Sequence, residues 1–382
     1  MIYDYIIIGA GISGLYTAYN IKKKNLDKTF IILEANEYIG GRTLEEKFNN
    51  QLVKTGAGVV RITDKLLIKL IKELKVDYFK AKSPINYTFD NIDIIKIITQ
   101  LKKEFIKTKP RITFKKFALP ILGKKIYNNF LISSGYTDYE NDDTHQVLYM
   151  YNFEDNTFKA ANIYISWNQL IDNLVNYIDI KNIKLKSKVI KINNDNIKTN
   201  NLIYYYKKLI VATTIISLRT LIKNHIYKEI EGQSFIRIYC VVASKYIPIM
   251  KELVKGILIV NNILQKILAI NPDKGLYMCA YADNKNADKL YNNFINIEYL
   301  ENLIKEALNI DAIKIIKFVS YYREIGTHYY KPLSNIYKSR LDFINQAQHP
   351  KENIIVVGEV VAEDQGWTEG ALSSVNKILS IL

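Results

Sequence analysis

The sequence predicts an α/β fold in which a parallel-sheet domain, drawn from separate parts of the chain, is interleaved with an α+β domain. Three observations carry this. YDYIIIGAGISGLYTAYNIKKKN near the N-terminus runs from a β-branched strand through spaced glycines into a helix. KENIIVVGEVVAEDQGWTEGALSSVNKILSIL at the far end repeats strand, glycine bend and small-residue helix. Between them, strand-like runs (FIRIYCVVAS, KGILIV, GLYMCAYAD) alternate with the amphipathic stretch ADKLYNNFINIEYLENLIKEAL.

The first element holds Gly9, Gly11 and Gly14 with Ser13 in the same turn, and a second strand, TFIILE, ends in Glu34. A strand, G-x-G-x-x-G, a helix and an acidic residue twenty positions after Gly14 make the full βαβ dinucleotide fingerprint of a Rossmann-like domain. Gly9 allows the tight turn, Gly11 lets a pyrophosphate approach the backbone, and Gly14 lets helix and strand pack closely. The helix N-terminus faces the phosphates, and Glu34 accepts hydrogen bonds from an unphosphorylated ribose.

Composition sets the outer limits. The chain has 382 residues and a formal charge of +15, with seven arginines against forty-six lysines. The charge is spread along the chain, as on a solvated lysine surface. An anionic ligand steered by it is the other reading. The densest basic segment, residues 101–125, carries no nucleic-acid signature and is expected to be a solvated face. Cys240 and Cys279 are too few for a framework of bridges and suit a reducing compartment. No signal peptide or membrane-spanning stretch is expected, which points to a soluble cytoplasmic protein without nucleic-acid or membrane partners. No metal site is expected. Oligomeric state is left open, a homodimer included.

The string GAGISGL…LEANEYIGGRT resembles the flavin-containing amine oxidases, the family of monoamine, polyamine and L-amino-acid oxidases. The resemblance implies a GR2-type FAD-binding domain interleaved with an α+β substrate domain. It assigns residues 1–78, 158–231 and 346–382 to the FAD domain, and 79–157 and 232–345 to the substrate domain. By the resemblance Glu34 and Ala35 border the ribose, Gly41 and Arg42 approach the pyrophosphate and flavin, and Val189 sets its backbone against the adenine. Gly58, Val59, Val60 and Arg61 form the flavin rim. Gly358 and Glu359 lie by the ribityl and pyrophosphate portion. Gly366 and Trp367 stand beside the flavin, and Ala371 lies in the helix pointing at it. The helix ISWNQLIDNLVNYI, a strand within NIKLKSKVIKINNDN around Lys186 to Ile192, and the strand NLIYYYKKLIVATT complete the domain. Non-covalent FAD is implied, since no cysteine lies in the SYYREIGTHYYKPL segment.

The same resemblance implies the chemistry: hydride transfer from the carbon bearing an amine to flavin N5, giving an imine, then a carbonyl product and ammonia, with oxygen reduced to hydrogen peroxide. Trp367 is the expected cage aromatic over the amine. His328 and Tyr329 compete for the second cage position after Gly326. Arg237 stands where the family carries a lysine that holds a water near N5, and a guanidinium does not deprotonate as an ammonium can. It holds a water or meets a substrate carboxylate. Arg61, three residues after Gly58, fits the carboxylate-binding arginine of L-amino-acid oxidases, with an internal ion pair as the other reading. An L-amino-acid substrate is slightly favoured. A monoamine or polyamine oxidase, a flavin dehydrogenase and a redox-silent FAD-binding protein remain alternatives.

Overall fold

The computed structural model describes residues 2–24, 27–151, 153, 161–293 and 296–382. Its first sheet has the order Ile183–Lys184, Phe30–Leu33, Ile2–Ile8, Ile203–Val211, Asn196–Thr199, Val189–Ile192, and Ile354–Val356 pairs in parallel with Ile203–Val211. The central strands are near-continuous Ile, Leu and Val, as a parallel sheet covered on both faces requires. Their side chains alternate between two cores. Ile7, Ile32, Ile210 and Ile355 enter one, and Ile6, Ile31, Leu209 and Ile354 the other.

Register fixes where the site falls. Ile8 pairs with both Leu33 and Val211, and Val211 pairs with Val356. Four parallel strands therefore end on one line, and Gly9, Glu34, Ala212 and Val357 follow immediately beyond it. Ligands of open α/β sheets bind at this carboxyl edge.

The second sheet has six strands in the order Ile315–Tyr330, Ile230–Val242, Leu276–Asp283, Lys266–Asn271, Ile257–Ile259 and Ile85–Tyr87. All pairs are antiparallel except the last. Strand alternation again sorts the residues. Ile236, Ile238, Cys240 and Val242 pack with residues of the helices Asn284–Asn292 and Ile297–Leu308, whereas Tyr239 and Val241 belong to a core on the opposite face. Arg237 has the parity of Tyr239, so it points away from the helix-covered face.

The helices Ile94–Thr108, Phe114–Ser134 and Thr144–Tyr149 form a separate, aromatic core around Phe114, Phe130 and Tyr139. Residues 101–125 fall here. Leu101, Phe105, Phe114, Phe117 and Leu122 point inward, and the lysines lie mainly outside.

Two expectations need correction. The strand read around Lys186 to Ile192 is broken, because Lys186 takes the left-handed conformation (φ 52°) and pairing resumes only at Val189. Cys240 and Cys279 are bonded to each other, since their strands are neighbours and bring the Cα atoms to 6.0 Å. The expected limit at 157/158 lies outside the described residues. Tyr78–Ala81, which straddles the limit at 78/79, pairs with Asn162–Ile165. Among the described residues no helix is long and apolar enough to cross a membrane, and no group of residues is arranged to hold a metal ion.

Candidate functional site

The glycine turn is built for close approach. Gly9 has φ 103°, and a Cβ there would run into the carbonyl of Ala212. A Cβ on Gly14 would run into the carbonyl of Gly9, the point where the helix Ile12–Lys24 crosses the strand. At Gly11 a Cβ would meet nothing within 4 Å. Two glycines are thus demanded by the protein itself, and the third faces open space at a helix N-terminus, where a pyrophosphate fits. Gly14→Ala is expected to push helix from strand, lowering Tm and abolishing retention of bound dinucleotide, read by calorimetry and by cofactor absorbance after gel filtration. Wild-type retention would contradict this packing argument.

Glu34 is buried beside the turn. Its Oε2 accepts from Ala10 N (2.8 Å) and its Oε1 from Asn36 N (2.9 Å) and Nδ2 (2.8 Å). The carboxylate is locked at the sheet edge, with one acceptor site on Oε2 left for a ribose hydroxyl. Ala35 is exposed next to it, and Val189 is buried on the edge strand of the same sheet.

The two ends of the chain meet at Glu359. Its Oε2 accepts from Arg42 Nη1 (2.9 Å) and from His328 Nδ1, and its Oε1 accepts from His328 N (2.8 Å) and Gly366 N (2.7 Å). Arg42 Nη1 also donates to Gly326 O (2.8 Å). One buried carboxylate therefore ties the GGR turn, the strand Ile315–Tyr330 and the Gly366 bend together. Ser13 packs beside Gly358, whose N–H donates to Ser374 Oγ (2.7 Å). The helix Thr368–Ile378 begins at Trp367 with no side-chain cap, while Glu369 accepts from Leu66 and Leu67 N–H.

His328 lines the cavity, and its ring is held from both nitrogens, as the structural reading of this residue expects. Its Nε2 accepts from Ile215 N (3.1 Å), so the proton sits on Nδ1 and is donated to Glu359. Burial lowers the pKa of the ring, and His328 with Arg42 holds Glu359 well below the usual carboxylate range despite its burial. For a histidine depressed in the folded state, the unfolded chain takes up the proton first. The contribution to stability is complete above about pH 6.5 and is lost as pH falls through the lower folded value. Denaturation at pH 7.5 and 5.5 is expected to show a larger loss for wild type than for His328→Gln. Parallel losses would show that His328 does not carry this dependence.

A cavity opens beyond this hub. Arg42, Gly58, Val59, Gly366, Trp367 and Ala371 line it on the sheet side, and Arg237, Arg323, Tyr281 and Tyr329 on the side of the second sheet. Arg237 Nη1 donates to Lys54 O (3.2 Å), and its guanidinium stacks on the Tyr281 ring at 4.6 Å. Val60 is fully buried and pairs with Ile163, outside the cavity lining.

Arg61 is placed differently from the expectation of a substrate carboxylate ligand. It is 5% exposed and lies outside the residues lining the cavity. Its Nε donates to Asp64 Oδ1 and its Nη2 to Asp364 Oδ2, both at 2.8 Å. The guanidinium packs on the Trp367 ring at 4.1 Å. The internal ion pair, held open in the sequence reading, is what forms. It also braces the aromatic that borders the cavity.

Sequence reasoning missed several cavity residues, Asp138, Asp142, Tyr151, Tyr281 and Arg323 among them. Asp138 and Asp142 arrive from the helical segment, in an acidic run, YTDYENDD, whose position could not be aligned. Tyr151 Oη donates to Asp138 Oδ1 (2.5 Å), and burial pushes the Asp138 carboxyl up to about 7. Arg323 sits opposite Phe235, and its scarcity value as one of seven arginines was the available signal.

Comparison with known proteins agrees with this geometry. Residues 7–74 match the profile of the NAD(P)-binding Rossmann-like domain. A flavin-containing amine oxidase of Oncorhynchus mykiss is 37% identical over 80 residues, 21% of this chain and 15% of that protein. An uncharacterised protein of Acanthamoeba polyphaga mimivirus is 30% identical over 97 residues, 24% of this chain and 18% of that protein. The matched segments cover less than a fifth of either relative. Putrescine oxidase bound to putrescine superposes with a TM-score of 0.79 at 14% identity, covering 100% of this chain and 99% of that one. Cyclohexylamine oxidase from Brevibacterium oxydans gives 0.78 at 15% identity, covering 100% and 98%. The fold is that of flavin-dependent amine oxidases.

Proposed function

We propose that this chain binds FAD non-covalently and oxidises a carbon–nitrogen bond of a small amine or amino acid, with molecular oxygen as electron acceptor. The observation that carries this is the continuous wall from the open Gly11 turn, through the Arg42–Glu359–Gly366 hub, to a cavity bordered by Trp367 and Tyr329. Gly9, Gly11, Ser13, Gly14, Glu34, Ala35, Gly41 and Val189 would hold the adenosine and pyrophosphate portions. Arg42, Gly58, Val59, Gly358, Glu359 and Ala371 would hold the remainder. FAD, when bound, supplies the hydride acceptor. The two cysteines are bonded to each other in the second sheet, which supports a non-covalent cofactor.

The chain's own residues orient and deprotonate the substrate. Trp367 and Tyr329 present aromatic walls to an amine, and a cation is drawn to such faces before it loses its proton. Asp138, titrating near neutrality, suits acceptance of that proton at its carboxylate. Because its pKa is raised, Asp138 becomes a base only as pH rises through about 7. kcat/KM is expected to climb through that range in the wild type, and Asp138→Asn to lose the limb. A limb that persists in Asp138→Asn would remove the assignment.

Arg237, in the place of the family's lysine, favours a second reading in which another acceptor replaces oxygen. Purified protein is tested with L-amino acids, monoamines and polyamines, following peroxide and anaerobic bleaching of the flavin. Bleaching with peroxide is expected. Bleaching alone identifies a dehydrogenase, and neither signal with any substrate leaves a redox-silent FAD-binding protein.

A further inference from the structure

The arginines of the chain divide sharply by partner. Arg42, Arg61, Arg219 and Arg340 each pair with a carboxylate, and Arg111 lies exposed on Ser334 O and Asn335 Oδ1. Among the described residues Arg237 and Arg323 have no carboxylate partner, and both line the cavity. They stand on adjacent antiparallel strands. Phe235 is opposite Arg323 and Tyr321 is opposite Arg237, so the two residues are diagonal neighbours on one face of the sheet, and both line the cavity. Arg237 is only 6% exposed. Arg323 Nε is buried without a hydrogen-bond partner among the described residues, and its Nη2 only approaches Thr55 Oγ1, at 3.5 Å.

Holding a buried guanidinium and a partly buried one on the same wall without a carboxylate partner is costly. The acidic residues of the cavity do not relieve it. Asp138 is bonded to Tyr151, Asp142 holds the backbone N–H of Asp143, Glu359 is taken by Arg42 and His328, and Glu363 by Lys377. Lys266, behind the same wall, lies over the Tyr136 and Tyr281 rings, and burial holds its pKa well below the ordinary lysine value, so it is not counted among the charges to be balanced. The donors left over, in two planar forks that line the cavity, match a carboxylate.

We propose that Arg237 and Arg323 together form a carboxylate subsite, so that the substrate is an amine that also bears a carboxylate. This rests on the amine-oxidising reading above, and it moves the carboxylate from Arg61 to the second sheet. Two forks gripping one carboxylate fix the orientation of the attached carbon as well as its affinity.

The test is direct binding, followed by titration calorimetry on the FAD-loaded protein. The probes are 3-phenylpropanoate and its counterpart of similar shape, 3-phenylpropylamine. Wild type is expected to bind the carboxylate. Arg237→Met and Arg323→Met are each expected to weaken it at least tenfold, while shifting amine binding less than threefold. Arg→Lys at either position keeps the charge but not the fork, and is expected to weaken carboxylate binding several-fold. These two variants decide the matter if the Met variants do not fold. Absence of carboxylate binding by wild type, or equal losses for both probes, overturns the subsite. Protein that retains no FAD yet binds the carboxylate overturns the oxidase reading and leaves the subsite standing. Protein that oxidises plain amines but ignores the carboxylate does the reverse.

Discussion

Glu359→Ala is expected to cost about 3–5 kcal/mol of stability, the usual penalty for removing one partner of a buried charge pair. The loss comes from what is left behind. Arg42 keeps only the Gly326 carbonyl, while His328 Nδ1–H and the amides of His328 and Gly366 lose their acceptor. Each orphaned donor pays its own desolvation. In a chain of this size the drop in Tm is about 5 °C. Glu359→Gln is expected to fall between, because the amide oxygen still accepts two N–H bonds but cannot neutralise Arg42. Cofactor release should accompany unfolding of this region in calorimetry with absorbance detection. A Tm within a degree or two of wild type for Glu359→Ala would show that the hub does not hold the two chain ends together.

Arg61→Ala is the second large effect, expected at roughly 3 kcal/mol because both Asp64 and Asp364 lose the guanidinium between them, the former fully buried and the latter partly exposed. Trp367 loses the cation on its ring as well. The variant should therefore weaken turnover of carboxylated and plain amines alike. A rise in KM confined to carboxylated substrates would return Arg61 to the substrate.

The legible part of the site was the part set by local backbone. Gly9 and Gly14 are demanded by a crossing of neighbouring elements, and Glu34 follows at a distance fixed by one helix and one strand. Arg61 shows the limit. Asp64, three residues on, was readable as a partner, but Asp364 lies 303 positions away and only the fold brings it near. His328 was ambiguous for the same reason, since Ile215 and Glu359 approach it from distant segments. The scarcity of arginine marked Arg323, but its place beside Arg237 was not legible, because strand register rather than spacing along the chain sets it there. The cysteine pair likewise depended on which strands become neighbours.

The strand Ile203–Val211 lies between Ile2–Ile8 and Ile354–Val356, and the Tyr5 hydroxyl donates to the carbonyl of Leu382. During synthesis the first glycine turn emerges from the ribosome early, with neither its central partner nor its closing strand. A nascent chain has no finished dinucleotide cradle until residues beyond 354 have been made. Maturation should thus be post-translational, with flavin captured in a late step, and the waiting intermediate exposes apolar strand edges that chaperones recognise.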